Sequence, residues 1–213
     1  IFLNAIIDKV NWSLDQFVLG AVSGTVATAV YSVAGKLNSM YMNFSTAISN
    51  VMLPKVTKME DSKVTNKAFT DIFIQTGRIQ YLLMALIITG FVLFGQVFIN
   101  WWAGEGYEDA YIIACILMIP ITVPLIQNIG LSILQAKNLY KYRTIIFLVI
   151  AILNVAMSIP LAKIYGGIGA AIATSISLIL GQGIILNIYY HKKVGINMIE
   201  FWKNIIRMSI PMI

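Results

Sequence analysis

Six apolar stretches, each close to the length that crosses a bilayer, take up most of the 213 residues. They cover approximately residues 1–20, 26–53, 70–99, 109–135, 143–163 and 168–190, and a seventh begins near Phe201. A spanning helix needs about 20 mostly apolar residues. The chain is 59% hydrophobic and 11% charged, with a mean hydropathy of +0.82, whereas soluble domains carry roughly 25% charged residues. A soluble fold of this length could not hide so much apolar surface. The sequence therefore predicts an all-α, polytopic membrane helical bundle. A transmembrane bundle is expected over 1–190, with a connection and the start of a further span over 191–213. The chain opens on Ile1-Phe2-Leu3 without an initiator Met or a basic leader and stops at Ile210-Pro211-Met212-Ile213 inside an apolar run. It reads as an internal piece of a larger transporter-sized protein.

The connections alternate in charge. Lys55, Lys58, Lys63 and Lys67 follow the second stretch, Lys137, Lys141 and Arg143 the fourth, and Lys192, Lys193 and Lys203 the sixth. The intervening connections hold one basic residue, Lys163, against these ten. The positive-inside rule then places 54–69, 136–142 and 191–200 in the cytoplasm. Trp101, Trp102 and Tyr107 suit an aromatic belt on the opposite side. The net charge of +6 thus reports topology rather than nucleic acid. A helix over 70–99 would be about 45 Å long against a hydrocarbon core of about 30 Å. Its first turns, with Asp71, Gln75 and Arg78, are expected in the cytoplasmic interface. Pro120 and Pro124 should kink the fourth span.

Against this background Asp8, Lys9, Asp15 and Lys36 stand out. A charge at the centre of a membrane helix costs about 2.5–3.5 kcal/mol on the insertion scale. Asp8, Asp15 and Lys36 are expected to face a polar interior, whereas Lys9 points elsewhere and can reach an interface. Helical spacing joins them to neighbours. Asn4, Asp8, Asn11 and Asp15 share one face of the first span, and Ser32, Lys36, Ser39 and Asn43, continuing through Thr46 and Asn50, share one face of the second. In lipid such stripes must turn toward protein or water. The two helices are joined by a short connection, so Lys36 could lie opposite Asp15 or Asp8. That pair would form a switchable ionic site or a packing salt bridge. Lys36, Ser32, Ser39, Asn43, Asn4 and Asn11 are the candidate cavity-lining residues, and Asp8 and Asp15 the candidates for ion coupling. Gln127, Asn128, Ser132, Gln135, Asn154, Ser158, Thr174, Ser175 and Gln182 read individually as interhelical hydrogen-bonding groups.

No H-E-x-x-H, G-x-S-x-G or phosphate-loop motif is present. The lone Cys115 lies in an apolar run and the lone His191 in a basic connection, which excludes disulfides and cysteine-based metal sites. No catalytic residue, metal or cofactor is assigned, and the expected class is not an enzyme.

Two runs carry a family resemblance. Asp15-Gln16-Phe17-Val18-Leu19-Gly20, followed by Ala29 to Leu37 and Leu53-Pro54, resembles the Wzx-like polysaccharide flippases that export O-antigen, capsule and teichuronic acid. The run Asn154 to Thr174, with its small-residue segment from Gly166, is similar to the same family's second half. These belong to a superfamily with multidrug and toxin extrusion transporters and lipid II flippases. The resemblance implies two six-helix bundles around a central cavity, with this chain as the second bundle and the start of a thirteenth helix. It implies alternating-access movement of an undecaprenyl-diphosphate-linked oligosaccharide across the bacterial cytoplasmic membrane for surface polysaccharide biosynthesis. Coupling to protons or sodium would be usual. Lys36 would suit the anionic diphosphate; Asp8 and Asp15 would suit a cation. A cation-coupled multidrug extruder, or a membrane enzyme of envelope assembly such as a polymerase, remain as alternatives.

Overall fold

The computed structural model describes residues 15–209, which are helical throughout apart from short connections, with no strand among them. Helix α1 occupies 15–22. It is followed by α2 (Gly24–Asp61), α3 (Asn66–Ala103), α4 (Asp109–Leu125), α5 (Ile129–Ala136) and α6 (Tyr140–Leu178). Wider π-helical turns at Ile179–Ile185 and Tyr190–Val194 flank the short α7 (Leu186–Tyr189), and α8 is Met198–Ser209. Helices α2 and α3 run past the expected stretches 26–53 and 70–99 at both ends, by up to eight residues, the stretch 109–135 is split into α4 and α5, and most of the stretch 1–20 lies outside the described residues.

By length and composition, Asn66–Ala103 and Lys141–Val194 are apolar enough to cross a membrane, and the bent pair α4–α5 makes a third such element. The protein is a multi-pass membrane protein. The polar stripe of α2 keeps that 38-residue helix out of this set. As one straight rod the 54 residues of Lys141–Val194 would measure about 80 Å. They fold back instead at Gly166, whose φ of 56° and ψ of −134° are foreign to a helix and cheap only for glycine. The two arms then lie so close that a Cβ at Gly169 would strike the Leu161 carbonyl. The small residues after Gly166 thus allow close approach of two helices.

Pro124 lacks the N–H that would continue the helical ladder. The chain breaks just beyond it, and α4 and α5 meet at 44°, as the two prolines led one to expect. Carbonyls freed by such breaks must find donors inside the protein. At this break the Ser45 hydroxyl of α2 donates to Leu125 O at 2.6 Å, beside the turn bond from Asn128 N–H.

The ends of the bundle are chemically distinct. At one, Lys137 bridges to Glu60 at 3.5 Å and lies 4.4 Å from the Phe69 ring centroid. The Asn197 N–H donates to Thr70 Oγ1 at 3.1 Å. Three basic connections therefore meet at this basic end. At the other, Ser23 Oγ donates to Ala162 O at 2.9 Å, next to the Gly166 turn, and Phe98 stacks on Trp102 at 5.9 Å.

Packing is inverted on the outside. Tyr41, Phe73, Met84, Ile113, Leu117 and Ile133 fill the core, while Leu86 and Val97 on α3 are each 70% exposed and Ile152 on α6 is 62% exposed. Such an apolar exterior is solvated by lipid tails. Helix α8 buries Met198, Phe201 and Ile205 against the start of α3, with Phe201 edge-on to Phe73 at 4.9 Å. Trp202 Nε1 donates to Asn187 Oδ1 at 2.8 Å.

Candidate functional site

Two buried charges define the interior, one toward each end. Asp15, at the start of described α1, is 2% exposed. Its Oδ2 accepts from Thr174 Oγ1 at 2.6 Å and from Tyr31 OH at 2.8 Å. Its Oδ1 accepts from Asn154 Nδ2 at 3.1 Å and from Ser158 Oγ at 3.3 Å. Asn154 Oδ1 also lies 3.1 Å from Ser158 Oγ and 3.3 Å from Thr174 Oγ1. The donors come from α2 and from both arms of α6. Ser158 and Thr174 each stand eight residues from Gly166, about 12 Å along their helices, so the fold-back brings them level. Burying a carboxylate is tolerable when its lone pairs are filled by hydrogen bonds, and here four neutral donors fill them. The assembled oxygens of Asp15, Asn154, Ser158, Thr174 and Tyr31 form a hard donor set, of the kind that takes a proton or a small alkali cation rather than a soft metal. No cluster of three His, Cys, Asp or Glu side chains that could hold a metal occurs among the described residues.

The second charge is Arg143, 5% exposed. It lies in the first turn of α6 with its guanidinium carbon 4.2 Å from the Phe147 ring centroid. It faces a cavity of about 570 Å³ in the half of the bundle near the basic end. Thr46, Ser49 and Asn50 of α2, Gln127, Asn128, Ser132 and Gln135 around the α4–α5 break, and Gln182 in the π-helical turns also line it. The break after Pro124 aims these amides inward. One cation among many neutral hydrogen-bonding groups suits an anionic, hydroxyl-rich ligand, because guanidinium pairs with phosphate in a planar fork and amides pair with sugar hydroxyls.

The expected cavity residues fall out differently. Asn4, Asp8 and Asn11, with Lys9, lie outside the described residues. Lys36, Ser39 and Asn43 are exposed along one face of α2 and Ser32 is half-buried there. None of these four lines the Arg143 cavity, but Thr46 and Asn50 at the end of the same stripe do. Ser32 and Ser39 donate to their own helix, at Thr28 O (2.7 Å) and Gly35 O (2.9 Å). The Lys36–Asp15 pair is not formed. Lys36 makes no ion pair among the described residues, and Asp15 turns instead into the neutral cluster.

The sequence groups Arg143 with the basic residues that follow the fourth stretch; α6 starts at Tyr140, early enough to draw it inside. In sequence Asn154, Ser158 and Thr174 stand as separate interhelical groups, because nothing in their spacing points 139 to 159 residues back to Asp15. Other single polar residues do join helices as expected. Ser175 Oγ donates to Ile116 O at 2.6 Å, and Gln127 and Asn187 exchange amide hydrogen bonds at 3.1 and 3.3 Å.

Residues 1–112 match the model of a family described as polysaccharide biosynthesis protein. A Haloferax volcanii protein named as a flippase, AglR, is 28% identical over 175 residues, which is 81% of this chain and 36% of that protein. A Shigella flexneri protein named as an O-antigen transporter is 26% identical over 180 residues, 82% of this chain and 41% of that protein. The chain thus spans about two fifths of the length of these curated relatives. No solved structure matches it. Both relatives carry names of transporters. This chain belongs to the polysaccharide biosynthesis protein family, that of the Wzx-like polysaccharide flippases.

Proposed function

We propose that this bundle forms one wall of a transporter that moves a lipid-linked oligosaccharide across the bacterial cytoplasmic membrane by alternating access. The observation that carries this reading is the Arg143 cavity. It is a chamber of mixed lining, with one buried cation and several amides and hydroxyls among apolar side chains such as Leu53, Leu131 and Phe147, set in a bundle whose outside is lipid-facing. A diphosphate between lipid and sugar is the anion such a chamber suits, and the amides suit the sugar. The basic end would be cytoplasmic, so the cavity would meet its substrate on the side of synthesis. The exposed stripe of α2 supports a second bundle opposite this one. Lys36 stands about 18 Å from the start of α2, where an ammonium facing lipid would be costly. Counting α1, α2, α3, the α4–α5 pair and the two arms of α6 as spans gives six, as in one lobe of the multidrug-and-toxin-extrusion architecture. The Asp15 cluster is the candidate coupling site. Its oxygens would take a proton or sodium in one access state and release it when the arms of α6 shift.

The test is surface glycan export by full-length protein carrying Arg143→Gln or Lys36→Ala. Arg143→Gln is expected to lower export about 10- to 100-fold, since hydrogen bonds to a charged group are worth about 1.5–3 kcal/mol. Lys36→Ala is expected to lower it less, with both proteins at normal abundance. Normal export by Arg143→Gln would remove the cavity as the substrate site.

A further inference from the structure

We propose that the groove between the basic end of the second α6 arm and α8 binds one anionic phospholipid. The groove lies outside the Arg143 cavity and is open to the surroundings, with a volume of about 900 Å³. Its floor is apolar: Ile188 from the arm meets Ile199, Trp202 and Ile206 from α8. Ile199 and Ile206 are 72% and 60% exposed, so no described part of the chain covers them. Its rim is cationic, formed by Lys192, Lys203 and Arg207, with His191 beside them. No carboxylate lines it. Glu200 turns to the far side of α8, where it shares a separate depression with Asp71 and Arg78. The Trp202–Asn187 hydrogen bond fixes the wall between floor and rim.

An amphiphile with a negatively charged head fits both surfaces at once. An acyl chain would lie on the isoleucines while its phosphate meets the ammonium and guanidinium groups. The groove sits at the basic end of the bundle, where helices leave the apolar belt and headgroups begin. A basic interfacial cluster without a groove would attract anionic lipids only diffusely. The apolar floor adds a fixed position. This site is independent of the transport reading, and it stands or falls by lipid binding alone.

The experiment is native mass spectrometry of the full-length protein with phosphatidylglycerol or phosphatidylcholine of identical acyl chains. The Lys192→Gln/Lys203→Gln/Arg207→Gln variant is compared with Lys55→Gln/Lys58→Gln/Lys63→Gln, which removes the same charge from the same end. One tightly held phosphatidylglycerol is expected for the unaltered protein. Each groove charge removed should weaken it roughly fivefold, and all three roughly a hundredfold, while the control triple stays within about twofold. If the groove triple is not recovered folded, the Lys203→Gln single variant carries the test at about fivefold. Equal loss in both triples would reduce the effect to diffuse charge and overturn the proposal. So would equal retention of the two lipids, which would leave the floor to a neutral lipid or to another segment of the chain.

Discussion

Asp15 and Arg143 are the charged side chains that are buried among the described residues, and each is held by a different device. Asp15 is surrounded by neutral donors, so replacing it with asparagine preserves the shape of the site while removing its charge. We predict that Asp15→Asn leaves abundance within about twofold but cuts gradient-driven transport at least about tenfold and abolishes its dependence on the imposed ion. Transport assayed under separate proton and sodium gradients reads this. Wild-type rates and wild-type gradient dependence would exclude the carboxylate from coupling. Asp15 itself was legible in the sequence, because a lone carboxylate in an apolar run has few inexpensive fates. Its partners were not. Asn154, Ser158 and Thr174 are ordinary helix-joining residues until the Gly166 turn places them opposite an acid from the start of the chain. The inward role of Arg143 is hidden in the sequence for a related reason. Two residues from Lys141, it looked like one more topology signal, and only the start of α6 at Tyr140 reveals that its side chain turns inward.

Among the helices, hydropathy was a good guide, because lipid demands long apolar segments and the connections between them are short. The bend after Pro124 and the reversal at Gly166 lie where residue chemistry put them, whereas α3 starts at Asn66, inside the expected connection. The π-helical turns at Ile179–Ile185 and Tyr190–Val194 had no advance signal. In the first of them Gly181 lies against Ile150, at a place where no side chain would fit. The alternating connections lead to a prediction of orientation. Cysteine introduced at Lys63, in a background lacking Cys115, should resist an impermeant thiol reagent applied to intact cells, whereas cysteine at Glu105 should react. Both side chains are exposed at opposite ends of α3. Labelling of the Lys63 position from outside would reverse the orientation.

At the scale of the molecule, the bundle has three exterior surfaces with different chemistry. The belt through Leu86, Val97 and Ile152 meets lipid tails, the groove beside α8 presents cations above an apolar floor, and the α2 face carries Lys36, Ser39 and Asn43. The last of these is unsuited to lipid, and under the proposed function the transport path would run on the α2 side, where the stripe continues through Thr46 and Asn50 into the Arg143 cavity. The central claim is that this path carries an oligosaccharide on a lipid diphosphate. It is tested most directly by reconstituting the purified full-length protein into vesicles and following transbilayer movement of a polyprenyl-diphosphate oligosaccharide. Movement well above that in protein-free vesicles, lowered about 10- to 100-fold by Arg143→Gln, is the predicted result. Movement by the unaltered protein no faster than in protein-free vesicles would contradict it.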